Sequence, residues 1–125
     1  MYNVLIVALG GGIGAALRHL SGMAAARLLG SGFPYGTLFV NVVGSFVMGV
    51  FIELLARRFG ASTELRLFFA TGVLGGFTTF SSFSLDTAFL YERGDLALAA
   101  VYVIGSVVVG IAALFAGLAL VRAMA

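Results

Sequence analysis

The sequence GGFTTFSSFS occupies residues 75–84 and lies inside a stretch that is otherwise long and apolar enough to cross a bilayer. It brings a glycine pair, a threonine pair, serine hydroxyls and regularly spaced phenylalanines into that stretch. A backbone that leaves the helix inside hydrocarbon exposes N–H and C=O groups, which is costly unless protein, water or an ion satisfies them. We therefore predict that this span is broken near mid-membrane and that the break is an ion site.

The composition places the chain in a membrane. It is 62% hydrophobic and 10% charged, with a mean hydropathy of +1.16, whereas a soluble domain has about 25% charged residues. A chain of 125 residues is too short to hide this much apolar surface in a soluble core. The formal net charge of +2 comes from scattered arginines, so nucleic acid is not an expected partner. Cysteine is absent, which excludes disulfides and metal–thiolate sites.

We predict an all-α integral membrane protein that forms a single domain of four transmembrane helices, the third of them broken. Each span needs about 20 apolar residues to cross a hydrocarbon core of about 30 Å. The predicted spans are 4–29, 36–56, 65–91 and 96–121. They fill the chain, so we expect no soluble domain.

The arginines that flank the spans give only a weak preference for one orientation. An even number of spans places both termini on one side, and four arginines flank that side against two on the other. Because Lys and Arg near span ends set the orientation, insertion in one orientation and insertion in both remain open. In the second case, two oppositely inserted copies form an antiparallel pair. Small residues at GxxxG spacing, as in Gly10 with Gly14 and Gly72 with Gly76, also make oligomerisation plausible.

Polar side chains inside the spans are candidate functional residues, because polar groups in hydrocarbon are costly to keep. Arg18 either attracts anions to an aqueous vestibule or snorkels to the interface as an anchor. Asn41, with Thr37 one turn away on the same face, either donates to an anion or ties two helices together. Tyr102 and Ser106 place hydroxyls along one stripe of the fourth span, where an interhelical hydrogen bond is the plainer role.

The predicted break offers partners to ions of both signs. If the helix stops near Gly75 and restarts near Ser81, unpaired carbonyls end the first half and unpaired N–H groups begin the second. Carbonyls suit a cation, whereas a helix N-terminus suits an anion. Phe80 and Phe83 are three residues apart, so both rings can face one direction, and their positive edges suit a small anion. A lipid-facing or core stripe is the ordinary interpretation of such a pair, but the flanking glycines and hydroxyls favour a pore.

We do not expect an enzyme. The segment LGGGIGA at residues 9–15 imitates a dinucleotide-binding turn, but the first acidic residue of the chain is Glu53, much later than the ribose-binding acid of that motif. His19 is the only histidine, so neither a catalytic triad nor a zinc ligand set can be assembled.

Three motifs also carry a family resemblance. The chain resembles the Fluc (CrcB) family of fluoride channels through GGGIGAALR at 10–18, GTLFVNVVGS at 36–45 and GGFTTFSSFS at 75–84. The resemblance covers the whole chain. It implies a fluoride-selective channel through which fluoride leaves the bacterial cytoplasm passively. It further implies a multi-pass protein of the cell inner membrane, in contact with lipid, that works as a dual-topology antiparallel homodimer with two pores.

The resemblance also implies roles for individual residues. A structural sodium ion would lie at the dimer centre, held by the backbone carbonyls of Gly75 and Thr78 of both subunits. Arg18 would be the vestibule cation. The anion pore would be lined by Phe80, Phe83, Asn41, Ser81, Ser82, Thr37, Tyr102 and Ser106.

Two other functions suit a short chain with four spans. A small proton-coupled multidrug exporter needs a carboxylate inside the first span, and this span has none. A non-transporting assembly subunit would not need a break in the third span.

Overall fold

The computed structural model describes residues 1–124, which form an all-helical protein without strands in that range. The helices are α1 (Tyr2–Leu29), α2 (Tyr35–Arg58), α3 (63–77), α4 (Phe80–Glu92) and α5 (Leu96–Met124). Four helical stretches are long and apolar enough to cross a membrane, with α3 and α4 together forming the third. The predicted all-α class is therefore confirmed, and each helical stretch covers one of the predicted spans.

Most of α3 is π-helical. A single α-helical turn, Thr63–Leu65, begins the helix, and the Ser62 hydroxyl accepts a hydrogen bond of 3.4 Å from the Leu65 N–H. The segment Arg66–Leu74 is then π-helical, and the Gly75 N–H continues this pattern by donating to the Ala70 carbonyl. Such wider turns frequently lie at functional sites. No sequence pattern indicated this segment.

Helix α1 packs against α3 through glycines. A Cβ added at Gly14 would overlap the Val73 carbonyl oxygen, and one added at Gly76 would lie 3.1 Å from the Ala15 nitrogen. Close backbone approach of this kind is what small residues permit in membrane helices. The GxxxG pairs of α1 and α3 are thus used inside one subunit, and they give no support to oligomerisation.

Helices α2 and α5 form the second close pair. A Cβ at Gly49 would lie 3.0 Å from the Leu118 nitrogen, and one at Gly117 would lie 2.8 Å from the Val50 nitrogen. Outside these contacts the subunit presents many apolar side chains, such as Leu9 at 67% and Ile104 at 63% exposure. An exterior this apolar is suited to lipid or to another protein surface.

Replacing Gly14 by alanine should lower the thermal unfolding midpoint of the detergent-solubilised protein. The added Cβ would lie 2.8 Å from the Phe77 nitrogen, and overpacking of this kind costs about 1–3 kcal/mol. Gly12→Ala is the matched control in the same helix, because its Cβ meets no atom within 4 Å. Equal midpoints for the two variants would show that α1 and α3 are not in this contact.

Candidate functional site

The helical backbone is interrupted at Thr78 and Thr79. Thr78 has φ −84° and ψ 160°, and Thr79 has φ −154° and ψ 121°, so both are extended between α3 and α4. The interruption is shorter than expected from the sequence. Gly75 lies within the helix, with φ −63° and ψ −38°. The glycine pair therefore does not end the helix, and Gly76 instead allows close packing against α1. The helix restarts at Phe80, one residue before the expected Ser81.

Asn41 of α2 satisfies the backbone of Thr79 in both directions. Its Oδ1 accepts from the Thr79 N–H at 2.7 Å, and its Nδ2 donates to the Thr79 carbonyl at 3.0 Å. Of the two roles left open by the sequence, the helix-tying one is observed. An amide nitrogen carries two N–H donors, so this pairing uses only one of them.

The carbonyls of residues 75–78 lose their usual helical donors at the interruption, and Gly75 and Thr78 are two of these residues. In an α-helix, the Thr79 N–H would donate to the Gly75 carbonyl four residues earlier, but here it donates to Asn41. The Ser82 N–H would likewise serve the Thr78 carbonyl, but it donates to Thr79 Oγ1 at 3.1 Å. Thr79 is therefore the side-chain N-cap of α4. The carbonyls of Gly75 and Thr78 are thereby left open to another partner.

Arg18 reaches the end of α3 from α1. Its Nε donates to the Gly76 carbonyl at 3.0 Å, where a cation is favoured by the negative end of a helix dipole. The side chain is half-buried and lines a cavity of about 440 Å³ together with His19, Thr37 and Ser82. Arg18 thus combines contact with the interruption and a position on a polar cavity, and it does not snorkel freely.

A second cavity, of about 200 Å³, is lined by Asn41, Phe80, Phe83 and Ser106. The two phenylalanine rings lie in contact, with centroids 5.7 Å apart and an interplanar angle of 48°. The Ser106 hydroxyl is buried and has no hydrogen-bond partner among residues 1–124. Because buried hydroxyls normally have partners, this one is free to meet a molecule or ion in the cavity.

The remaining predicted residues are distributed around these cavities. Ser81 is exposed, and its Oγ lies 3.3 Å from Thr79 Oγ1. Tyr102 does not line the cavity that Ser106 shares with Asn41 and Phe83, although Tyr102 and Ser106 both line a separate apolar cavity. Tyr102 is only 1% exposed, and its hydroxyl donates to Asp86 Oδ2 at 3.1 Å. The expected hydroxyl stripe of α5 therefore divides, with Ser106 on the cavity and Tyr102 in an interhelical hydrogen bond.

Three residues of this region were not among the predicted ones. Thr79 organises the interruption, and threonine is one of the residues preferred at a helix N-cap. Asp86 accepts the hydrogen bond from the Tyr102 hydroxyl, a contact between helices that the sequence does not indicate. Phe33, from the loop between α1 and α2, packs edge-on against Tyr102 at 5.5 Å and 87°. Tyr102 in turn packs on Phe83 at 5.1 Å. Sequence offers no signal for Phe33, because the contact joins a loop to a distant helix.

The four helical stretches of membrane-spanning length define a small multi-pass membrane protein. The interruption at Thr78 and Thr79, with polar side chains around it, is typical of an ion site in such a protein. Residues 5–118 match the family described as CrcB-like protein, Camphor Resistance (CrcB), and the chain belongs to this family. The family resemblance inferred from the three motifs is thereby confirmed.

Similar proteins from bacteria align with nearly the whole chain. A protein of Agrobacterium fabrum named Fluoride-specific ion channel FluC is 61% identical over 98% of both chains. A protein of the same name from Mesorhizobium japonicum is 57% identical over 99% of both. Fluoride-specific ion channel FluC 2 of Nitrobacter hamburgensis is 59% identical over 96% of this chain and 97% of its own.

Replacing Asn41 by leucine should destabilise the protein markedly. It removes both hydrogen bonds to Thr79, and each backbone group left unpaired in a buried site costs about 1–3 kcal/mol. Ser45→Ala is the matched control, since Ser45 is a half-buried polar residue one turn later in α2. A thermal unfolding midpoint no lower for Asn41→Leu than for Ser45→Ala would contradict the pairing.

Proposed function

We propose that this chain is a fluoride-specific ion channel that lets fluoride leave the cytoplasm passively. The full-length identity of 57% or more to proteins named fluoride-specific ion channels supports the substrate. The observation that carries the mechanism is the interruption at Thr78 and Thr79 beside two cavities that are lined in part by polar side chains. A continuous apolar helix has no free polar group to bind an ion, whereas this arrangement places hydrogen-bond donors inside the membrane span.

The anion path proposed here runs past donors of three kinds. Arg18 supplies positive charge in the first cavity, where Thr37 and Ser82 add hydroxyls. In the second cavity, Asn41 has a further N–H, and Ser106 has an unpartnered hydroxyl. Phe80 and Phe83 supply positive ring edges, to which a small anion is attracted. Tyr102 acts on this path through its ring contact with Phe83.

A structural sodium ion held by the carbonyls of Gly75 and Thr78 fits the donor set of the interruption. Both carbonyls have lost their helical N–H donors, and carbonyl oxygens are ligands for alkali cations in membrane proteins. Within residues 1–124, no three His, Cys, Asp or Glu side chains are grouped to hold a metal ion. A cation would therefore rely on the backbone. When bound, sodium would supply positive charge that offsets the partial negative charge of these carbonyls.

A second copy of the chain is proposed to complete the channel. Phe80 is 79% exposed on the single subunit, and Gly75 is exposed as well, although both belong to the proposed ion sites. We place the second copy antiparallel, in the cell inner membrane, with two pores per dimer, because the arginine bias for one orientation is weak.

Reporters fused after residue 125 should then give signal from both membrane faces, and signal from one face alone would refute the antiparallel pair.

The proton-coupled exporter is less well supported as an alternative. It needs a carboxylate in the first span, and α1 contains no acidic residue. Liposomes containing the purified protein separate the possibilities. A channel should release fluoride without a proton gradient and leave chloride inside, an exporter should require the gradient, and an assembly subunit should release neither ion.

In the same liposomes, Phe80→Ile should abolish or strongly reduce fluoride efflux while leaving assembly unchanged. The substitution keeps an apolar side chain but removes the ring edge that the anion meets. Phe89→Ile is the matched control, because Phe89 is an exposed phenylalanine of the same helix, at 59% exposure, outside the cavity of Phe80 and Phe83. Fluoride efflux from Phe80→Ile equal to that from Phe89→Ile would remove the ring from the mechanism.

Sodium is tested independently of flux. Exchanging sodium for potassium in the detergent buffer should lower the thermal unfolding midpoint and weaken the dimer, because the proposed site is specific for sodium. Size-exclusion chromatography and a thermal shift assay at constant ionic strength measure both effects. A midpoint that does not depend on which cation is present would argue against a structural sodium ion.

A further inference from the structure

The formal net charge of the chain resides at one end of the helices. The end at which α2 and α5 stop carries four arginines and two acids, namely Arg57, Arg58, Arg66, Arg122, Glu53 and Glu64. The opposite end carries two arginines and two acids, namely Arg27, Arg93, Glu92 and Asp95. Arg18 and Asp86 cancel within the spans. The net charge of +2 therefore belongs to the arginine-rich end.

Glu53 fixes two of these arginines in place. Its Oε2 accepts from Arg57 Nε at 2.7 Å, and its Oε1 accepts from Arg122 Nε at 3.1 Å. The carboxylate side chain is 14% exposed, whereas the side chains of Arg57 and Arg122 are 41% and 56% exposed. Both bonds use Nε, so the Nη groups of each guanidinium remain as further donors. One carboxylate thus holds two cations, and the group keeps a net positive charge.

The lengths of the two helices set the depth of this group. Helix α2 has 24 residues and α5 has 29, which correspond to about 36 and 44 Å at 1.5 Å per residue. A hydrocarbon core measures about 30 Å, so the ends of both helices reach its boundary, and long arginine side chains there extend further toward the headgroups. Arg57 and Arg122 lie in the last turns of these helices. They therefore reach the headgroup layer, where lipid phosphates lie.

We propose that Arg57 and Arg122, held by Glu53, bind the phosphate of an anionic phospholipid headgroup. A guanidinium is planar and presents paired donors that match phosphate oxygens, and basic residues at this depth attract anionic lipids. Inorganic phosphate shares this chemistry. A lipid is favoured because apolar side chains at the same end are exposed, including Phe59 at 54% and Met124 at 67%, and these suit acyl chains.

The test measures thermal stability in a neutral detergent with added lipid. Phosphatidylglycerol and phosphatidylcholine with the same acyl chains are compared, and inorganic phosphate at equal concentration forms a third arm. Phosphatidylglycerol should raise the unfolding midpoint more than phosphatidylcholine does. The double variant Arg57→Gln/Arg122→Gln should lose this difference, whereas Arg27→Gln, at the opposite end, should keep it.

A conservative pair keeps the test decisive if the glutamine variant does not fold. Arg57→Lys/Arg122→Lys retains the charge but lacks the planar fork, so its phosphatidylglycerol-specific shift should be reduced. Equal shifts from both lipids in the unaltered protein, or a full shift in either double variant, would overturn the site. Equal stabilisation by inorganic phosphate would overturn the lipid assignment. Because no arm measures fluoride, the result is independent of the channel proposal.

Discussion

The structure depends on one constraint, which is that backbone N–H and C=O groups in hydrocarbon must find partners. The Thr78 N–H still donates to the Leu74 carbonyl, but the helix provides no partner for either backbone group of Thr79, and the protein supplies substitutes from two other helices. The Asn41 carboxamide takes both backbone groups of Thr79, and Arg18 takes the Gly76 carbonyl. Residues far apart in sequence are thus fixed around an interruption whose backbone groups need hydrogen-bond partners from other helices.

Close helix packing is what brings these substitutes within reach. Gly44 lies one turn after Asn41, and a Cβ there would meet the Thr78 side chain and lie 3.3 Å from the Phe77 ring. Gly14 and Gly76 similarly let α1 and α3 approach each other closely, so that the Arg18 side chain reaches the Gly76 carbonyl. Small residues therefore shape the site through helix packing. They determine which polar side chains can reach the backbone that the interruption exposes.

Sequence reasoning predicted the helical class and four helices of membrane-spanning length, because hydropathy is a local property of the chain. It placed the interruption close to its observed position, since consecutive threonines and serines supply caps as well as hydroxyls. It did not predict the π-helical segment 66–74, for which the sequence carries no recognised local pattern. The hydrogen bond between Tyr102 and Asp86 and the contact of Phe33 with Tyr102 likewise arise only when separate elements meet.

The pairing of Asn41 with Thr79 is the central claim, and solid-state NMR on labelled protein in lipid bilayers tests it directly. The account predicts a short-range cross-peak between the Asn41 carboxamide carbon and the Thr79 amide nitrogen, with extended-backbone chemical shifts for Thr78 and Thr79. Helical shifts continuing through both threonines, with no such cross-peak, would contradict it.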